Sequence, residues 1–221
     1  MERDGYGIHE RVVSRADAAA VGAALSRAKV PGSKAGARHV LAVPAVRALA
    51  HDPRLIALAS LYVGPGATPF RATLFDKSPH ANWLVAWHQD TALPLRERVG
   101  DPEWGTWSVK LGVLYARAPG WALEQVIALR VSLDDSTPAN GPLRVLPDTH
   151  REGVLSDARI ADLASGTRAV ECVAAAGGVV AMRPLIVHAS SKSVGGQPRR
   201  VLHVEYAARL ELRPGVVLAV T

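Results

Sequence analysis

Apolar residues recur along this chain with two different periods, and the change between them falls near residue 68. Before that point the spacing is helical. Ser14-Arg-Ala-Asp17 has the form of a capping box, in which a serine and an acid three residues apart satisfy the first free N–H groups of a helix. An Ala-rich segment follows to about residue 28, and Val30-Pro-Gly-Ser33 breaks it. Pro44 opens a short helix through residue 50, since a proline at the first helical position sacrifices no hydrogen bond. Asp52-Pro53 supplies the cap and first residue of another helix, which runs to about residue 62 and is closed by Gly64.

Beyond residue 68 the apolar runs become short and turn residues separate them. Strands are predicted at 69–75, 83–88, 107–116, 125–133, 143–146, 168–173, 179–182, 186–190 and 200–206. Clusters such as Asp134-Asp-Ser-Thr-Pro-Ala-Asn-Gly141 and Gly195-Gly-Gln-Pro198 punctuate them, and a helical period returns at 157–164. Helices followed by many short antiparallel strands predict a mainly β jelly roll with flanking N-terminal helices. No internal repeat or linker divides the chain. The expectation is one domain over 1–221: a mostly helical flank at 1–67, the jelly-roll core at 68–207 and a C-terminal extension at 208–221.

Composition narrows the function classes. With 48% hydrophobic and 21% charged residues, the 221-residue chain has ordinary globular composition and enough length for a sizeable core. The five tryptophans all fall between 83 and 121, which fits either an apolar cavity or a packed core layer. The single cysteine, Cys172, excludes an intramolecular disulfide and fits a reducing, cytoplasmic setting, where an apolar strand would keep it inert. Met1-Glu-Arg-Asp4 is charged, so no signal peptide is expected, and no run is long enough to span a membrane. The net charge of +6 invites a nucleic-acid reading, but the basic residues are dispersed along the chain, with only Arg199-Arg200 as an adjacent pair. An anionic small substrate or an Arg-rich solvated surface explains the charge as well. The sequence says nothing of oligomeric state.

Candidate chemistry begins in Trp83-Leu-Val-Ala-Trp-His-Gln-Asp90. On a strand, residues i and i+2 face the same way, so His88 and Asp90 project together. An imidazole and a carboxylate on one face, joined by one further histidine, would complete the facial triad of non-haem iron oxygenases. The His-x-acid spacing also occurs at His150-Arg-Glu152 and His203-Val-Glu205. The former follows a turn sequence and the latter has no histidine after it, so both histidines read as structural. The third ligand is expected at His188, 100 residues beyond His88, though a histidine among apolar residues can equally be a satisfied core group. Ser190 and Arg199 follow, the second at the expected start of the next strand. An arginine there can hold a carboxylate through two parallel hydrogen bonds, or can merely be solvated. Lys77, Asn82, Trp87 and Gln89 lie near the first ligands, and Trp107 and Arg130 on expected core strands. All six are candidates for substrate contact. Packing for Trp107, an outward salt bridge for Arg130 and a loop charge for Lys77 are the alternatives. Asn140-Gly141 is expected to make a turn.

These motifs resemble one family. Trp87-His-Gln-Asp90, Leu133-Asp-Asp135, Asn140-Gly-Pro-Leu143, Leu146-Pro-Asp-Thr-His150, and His188-Ala-Ser190 with Arg199 are similar in kind and order to the phytanoyl-CoA dioxygenase family, from about residue 68 to 206. The resemblance implies a double-stranded β-helix and an Fe(II)- and 2-oxoglutarate-dependent dioxygenase that consumes O2, hydroxylates a small molecule and releases succinate and CO2. His88, Asp90 and His188 match its iron ligands, Arg199 its 2-oxoglutarate-binding arginine, and Ser190 the accompanying serine. Asp148 departs from the glycine common at that turn. Relatives that halogenate lack the carboxylate that Asp90 supplies, which favours hydroxylation here. The alternative is a redox-neutral or non-enzymatic metal-binding jelly roll of the cupin kind.

Overall fold

A computed structural model describes residues 4–28, 30, 36–78 and 82–221. The break expected after Val30 lies outside these residues from position 31 on, as do Met1, Glu2 and Arg3. The chain begins with strand β1 (Tyr6–His9) and helix α1 (Arg15–Ala28), then β2 (Ala37–Arg38), α2 (Pro44–Ala50) and α3 (Pro53–Val63). Strands β3 (Thr68–Lys77), β4 (Val85–His88), β5 (Ala92–Leu95), β6 (Gly105–Lys110) and β7 (Val113–Arg117) follow. A one-turn helix, α4 (Gly120–Leu123), leads to β8 (Val126–Ser132) and β9 (Leu143–Leu146), and α5 (Asp157–Gly166) to β10 (Val170–Cys172). The remainder is β11 (Val179–Met182), β12 (Val187–Ser190), β13 (Arg199–Ala207), β14 (Glu211–Arg213) and β15 (Val216–Val217).

The helices start where the caps require. Ser14 Oγ accepts from the Asp17 N–H at 3.0 Å and Asp17 returns the bond to Ser14, and Asp52 accepts from the Arg54 N–H at 2.9 Å. The strands form antiparallel sheets. The larger has the order β1-β11-β8-β13-β3-β2 and the second β10-β9-β12-β4. The fold is thus mixed, N-terminal helices against antiparallel sheets. Period-two alternation on β13 divides the labour. Leu202, Val204 and Tyr206 join Leu25, Leu49 and Leu55 of the helices in one buried cluster, and Tyr206 donates its hydroxyl to the Ala50 carbonyl at 2.9 Å. The intervening residues face the second sheet. A smaller apolar cluster of Ala128, Val180 and Met182 with Leu143, Val145 and Cys172 holds the two sheets together, and burial pushes the Cys172 thiol up to about 12.

Several boundaries differ from the sequence expectation. The single strand expected at 107–116 is a hairpin, because Leu111 and Gly112 both take positive φ, 49° and 80°, and reverse the chain between Lys110 and Val113. Strands β1, β2 and β5 were not anticipated; β5 contains Pro94, which cannot donate to a ladder. The expected C-terminal extension carries the β14–β15 hairpin, and Leu212, Val216 and Leu218 pack against Trp104 and Leu93. Asp148, where glycine is usual, keeps the turn by adopting the left-handed conformation at φ 72°. Gly141 is less replaceable: its φ is 67°, and a Cβ there would collide with the Ser191 carbonyl. Gly141→Ala is expected to destabilise the protein by at least about 1–2 kcal/mol, read as a lower melting temperature.

Candidate metal centre

His88 ends β4 and His188 lies on the neighbouring β12, where they are direct cross-strand partners with ring centroids 4.2 Å apart. Asp90 sits just beyond β4, placed by its backbone N–H, which donates to the Pro184 carbonyl at 2.9 Å. Gln89 alternates to the other side. Its amide donates to the Gly153 and Leu185 carbonyls and accepts from the Leu155 N–H, fixing the segment between the two ligand positions. One ligand atom from each of His88, Asp90 and His188 lies within 4.8 Å of the others. The Asp90 oxygens stand 3.8 Å from His88 Nε2 and 3.6 Å from His188 Nε2.

Hydrogen bonds fix which imidazole nitrogen carries the proton. His88 Nδ1 contacts the Ala86 carbonyl at 2.8 Å and His188 Nδ1 the Ile186 carbonyl at 2.9 Å. A carbonyl oxygen only accepts, so both Nδ1 atoms carry a proton, and in the neutral ring the lone pair is on the Nε2 that faces the carboxylate. Burial holds His188 neutral by lowering its pKa to about 4. Burial alone would raise the Asp90 carboxyl, but His188, His203, His88 and Arg71 outweigh it and hold the group below the usual carboxylate range. Two imidazoles and one carboxylate around a common point fit a divalent iron centre with positions left open.

His203, read as structural, lies close enough to influence Asp90, yet it is chemically the opposite of the other two. Its Nδ1 faces a guanidinium nitrogen of Arg130 at 3.0 Å. Arginine only donates, so the proton of neutral His203 is on Nε2, where it blocks metal coordination. Burial and the Arg130 charge keep its pKa well below 6.5. A neutral buried histidine opposes acid stability: below about pH 6.5 the unfolded chain takes up a proton that the folded chain refuses. The metal-free protein is therefore expected to lose melting temperature steadily from pH 6.5 towards pH 4. The loss should be shallower in His203→Gln, as thermal melts across that range would show.

The triad stands between two cavities. The smaller is lined by Lys77, Arg130, His188, Ser190 and Arg199, and the larger, about 700 Å³, opens on the other side of His88 and Asp90. Ser190 Oγ donates to the Gly141 carbonyl at 2.9 Å and accepts from Lys77 Nζ at 2.5 Å. Arg199, 3% exposed, donates through Nε to the Asn140 carbonyl at 3.2 Å. Among the described residues no carboxylate forms an ion pair with Lys77, Arg130 or Arg199. Burial and mutual repulsion lower Lys77 to about 8 and Arg199 to about 10. Three buried cations with no ion-paired acid among the described residues make an anion site.

Of the remaining candidates, Trp87, Asn82 and Trp107 line neither cavity. Trp87 packs on Leu146 and Val187 with Arg144 over its ring, Asn82 clamps the Ser193 backbone, and Trp107 carries Arg98 on its face. Of the five tryptophans only Trp83 lines either of these two cavities, whereas Trp104 and Trp121 meet edge to face in a core cluster. Sequence reasoning missed Arg71, Thr73, His203 and Tyr115. The signal was present, since Arg71, Thr73, Phe75 and Lys77 alternate on one strand and Arg199, Val201, His203 and Glu205 on its partner, paired in register.

Comparison with known proteins bears on this geometry. The family described as Phytanoyl-CoA dioxygenase (PhyH) matches residues 1–201. The L-proline trans-4-hydroxylase of Streptomyces griseoviridis is 24% identical over 180 residues, 70% of this chain and 59% of that protein, so the chain spans less than two thirds of that relative. The crystal structure of AviO1 from Streptomyces viridochromogenes Tue57 is similar at 24% identity and a TM-score of 0.68, covering 98% of this chain and 93% of the other. That of EctD from S. alaskensis, with 2-oxoglutarate and 5-hydroxyectoine, is similar at 22% identity and a TM-score of 0.70, covering 93% and 72%. Among the described residues no helix is long and apolar enough to cross a membrane.

Proposed function

The chain belongs to the phytanoyl-CoA dioxygenase family, and from that premise we propose that it is an Fe(II)- and 2-oxoglutarate-dependent dioxygenase that hydroxylates a small molecule. The observation that carries this reading is the presentation of two Nε2 lone pairs and a carboxylate between a cavity rich in buried cations and a larger one. We read the six- and four-stranded sheets as the two walls of a double-stranded β-helix within a single domain.

In this reading His88, Asp90 and His188 hold the iron. Bound there, the iron supplies activation of O2, coupled to the conversion of 2-oxoglutarate to succinate and CO2 and of a substrate C–H to C–OH. Arg199, with Ser190 and Lys77 beside it, receives the distal carboxylate of 2-oxoglutarate in the smaller cavity. Arg130 lies on the same wall and fixes the His203 ring, so that only three ligands face the metal. Gln89 holds the spacing between His88 and Asp90. The larger cavity takes the substrate and, once filled, keeps bulk water from the reacting face. The buried thiol of Cys172 accords with a reducing, cytoplasmic setting.

The test needs no substrate. Fe(II) and 2-oxoglutarate added without oxygen are expected to give a weak visible charge-transfer band, and O2 then slow release of succinate. Neither signal from protein shown to carry iron would favour the redox-neutral alternative.

A further inference from the structure

Resting on that reading of the site, we propose that the substrate is an anion. Its carboxylate or phosphate group docks on Arg38 and Lys110, and its apolar body lies along Phe75 and Trp83. The larger cavity draws cations from three separate strands: Arg38 from β2, Arg71 from β3 and Lys110 from β6. Its only lining carboxylate among the described residues is Asp90, which the metal centre uses.

Arg71 is already neutralised. It pairs with Glu205, which is 1% exposed, and donates to the Ala92 carbonyl at 2.8 Å. Arg38 and Lys110 have no such partner, for neither forms an ion pair with a described carboxylate. Both line the same cavity, and burial, the Arg38 charge and the Arg71 charge together lower the Lys110 pKa. Uncompensated repulsion at a cavity wall opposes folding, and an anion in the cavity reverses its sign.

The wall is also rigid. Tyr115, 2% exposed, stacks on His39 and its hydroxyl meets His39 Nε2 at 3.0 Å. Lys110 lies 4.9 Å from the centre of that ring and Arg71 5.7 Å, so one fixed aromatic plane carries both cations. Arg38, Lys110 and Tyr115 line the larger cavity alone, whereas Phe75 and Trp83 line both cavities, as do His88 and Asp90 of the triad. A molecule anchored by its charge on the first group therefore lays its apolar part across the second, next to the metal ligands. A cationic substrate would meet the same wall and be repelled.

Calorimetric titration of the intact protein with 3-phenylpropionate, its primary amide and phenyl phosphate tests this without iron or turnover. Failure of the oxygenase reading would appear separately, as absent succinate release. The better of the two anions is expected to bind at least about tenfold more tightly than the amide, the worth of a charge-assisted pair over a neutral one. Which anion wins tells a carboxylate substrate from a phosphorylated one. Arg38→Gln with Lys110→Gln should abolish the preference and melt at or above the unaltered protein, since a repulsion is relieved. Should the double variant melt lower, Lys110→Gln alone must reduce the preference at least about threefold. Equal affinity of anion and amide, no saturable binding of either anion, displacement by 2-oxoglutarate, or a preference that survives these variants would overturn the proposal.

Discussion

Alanine at His188 is expected to leave a folded protein that no longer retains Fe(II). The residue is 4% exposed and offers its Nε2 to the same point as His88 and Asp90, so its loss leaves two donors on neighbouring segments. Two monodentate ligands hold a divalent ion poorly. Changes that merely disturb a ligand's hydrogen-bond partner weaken metal binding about 10- to 100-fold, so removing the ligand should exceed the top of that range. Iron counted after desalting, beside an unchanged far-ultraviolet spectrum, checks it. Asp90→Ala should behave alike and also remove the negative charge that balances the metal. Full iron occupancy in both variants would show that the triad is not the binding site.

Arg199→Ala carries the second large effect, and it should fall on the cosubstrate and not on the metal. The guanidinium is buried against the Asn140 carbonyl without an ion pair, with Lys77 and Arg130 at the same cavity wall. Removing the partner of a buried carboxylate costs about 2–4 kcal/mol, so the KM for 2-oxoglutarate should rise roughly 30- to 1,000-fold while iron retention is unchanged. Arg199→Lys should recover part of the loss, since a point charge replaces a planar fork. A rise of less than about threefold would move the distal carboxylate to Lys77 or Arg130.

What the sequence disclosed follows the range of the interactions involved. The capping box at Ser14, the proline starts at Pro44 and Pro53 and the glycine stop at Gly64 are local, and the helices begin and end where these residues direct. The hairpin at Leu111-Gly112 was hidden because an apolar leucine occupies a left-handed position and the hydrophobic run continues through it. Strands β1 and β2 were hidden because they are edge strands, four and two residues long, defined by what they pair with. The candidate site divides in the same way. His88 and Asp90 could be placed on one face from their spacing, but the pairing of His88 with His188 belongs to sheet register; the order of strands in an expected jelly roll made His188 the candidate, and the family likeness agreed with it. The Arg38–Lys110 wall was not legible at all, since its members come from an unexpected strand and an unexpected hairpin.

One consequence follows from the two imidazoles that each bond to a carbonyl two residues earlier in the chain. Flipping either ring would break that bond, so the coordinating edges are set before any ion arrives. Metal capture by this protein is therefore closer to filling a mould than to gathering loose side chains. Its entropic penalty was met during folding, and the apo and loaded forms should superpose at these strands.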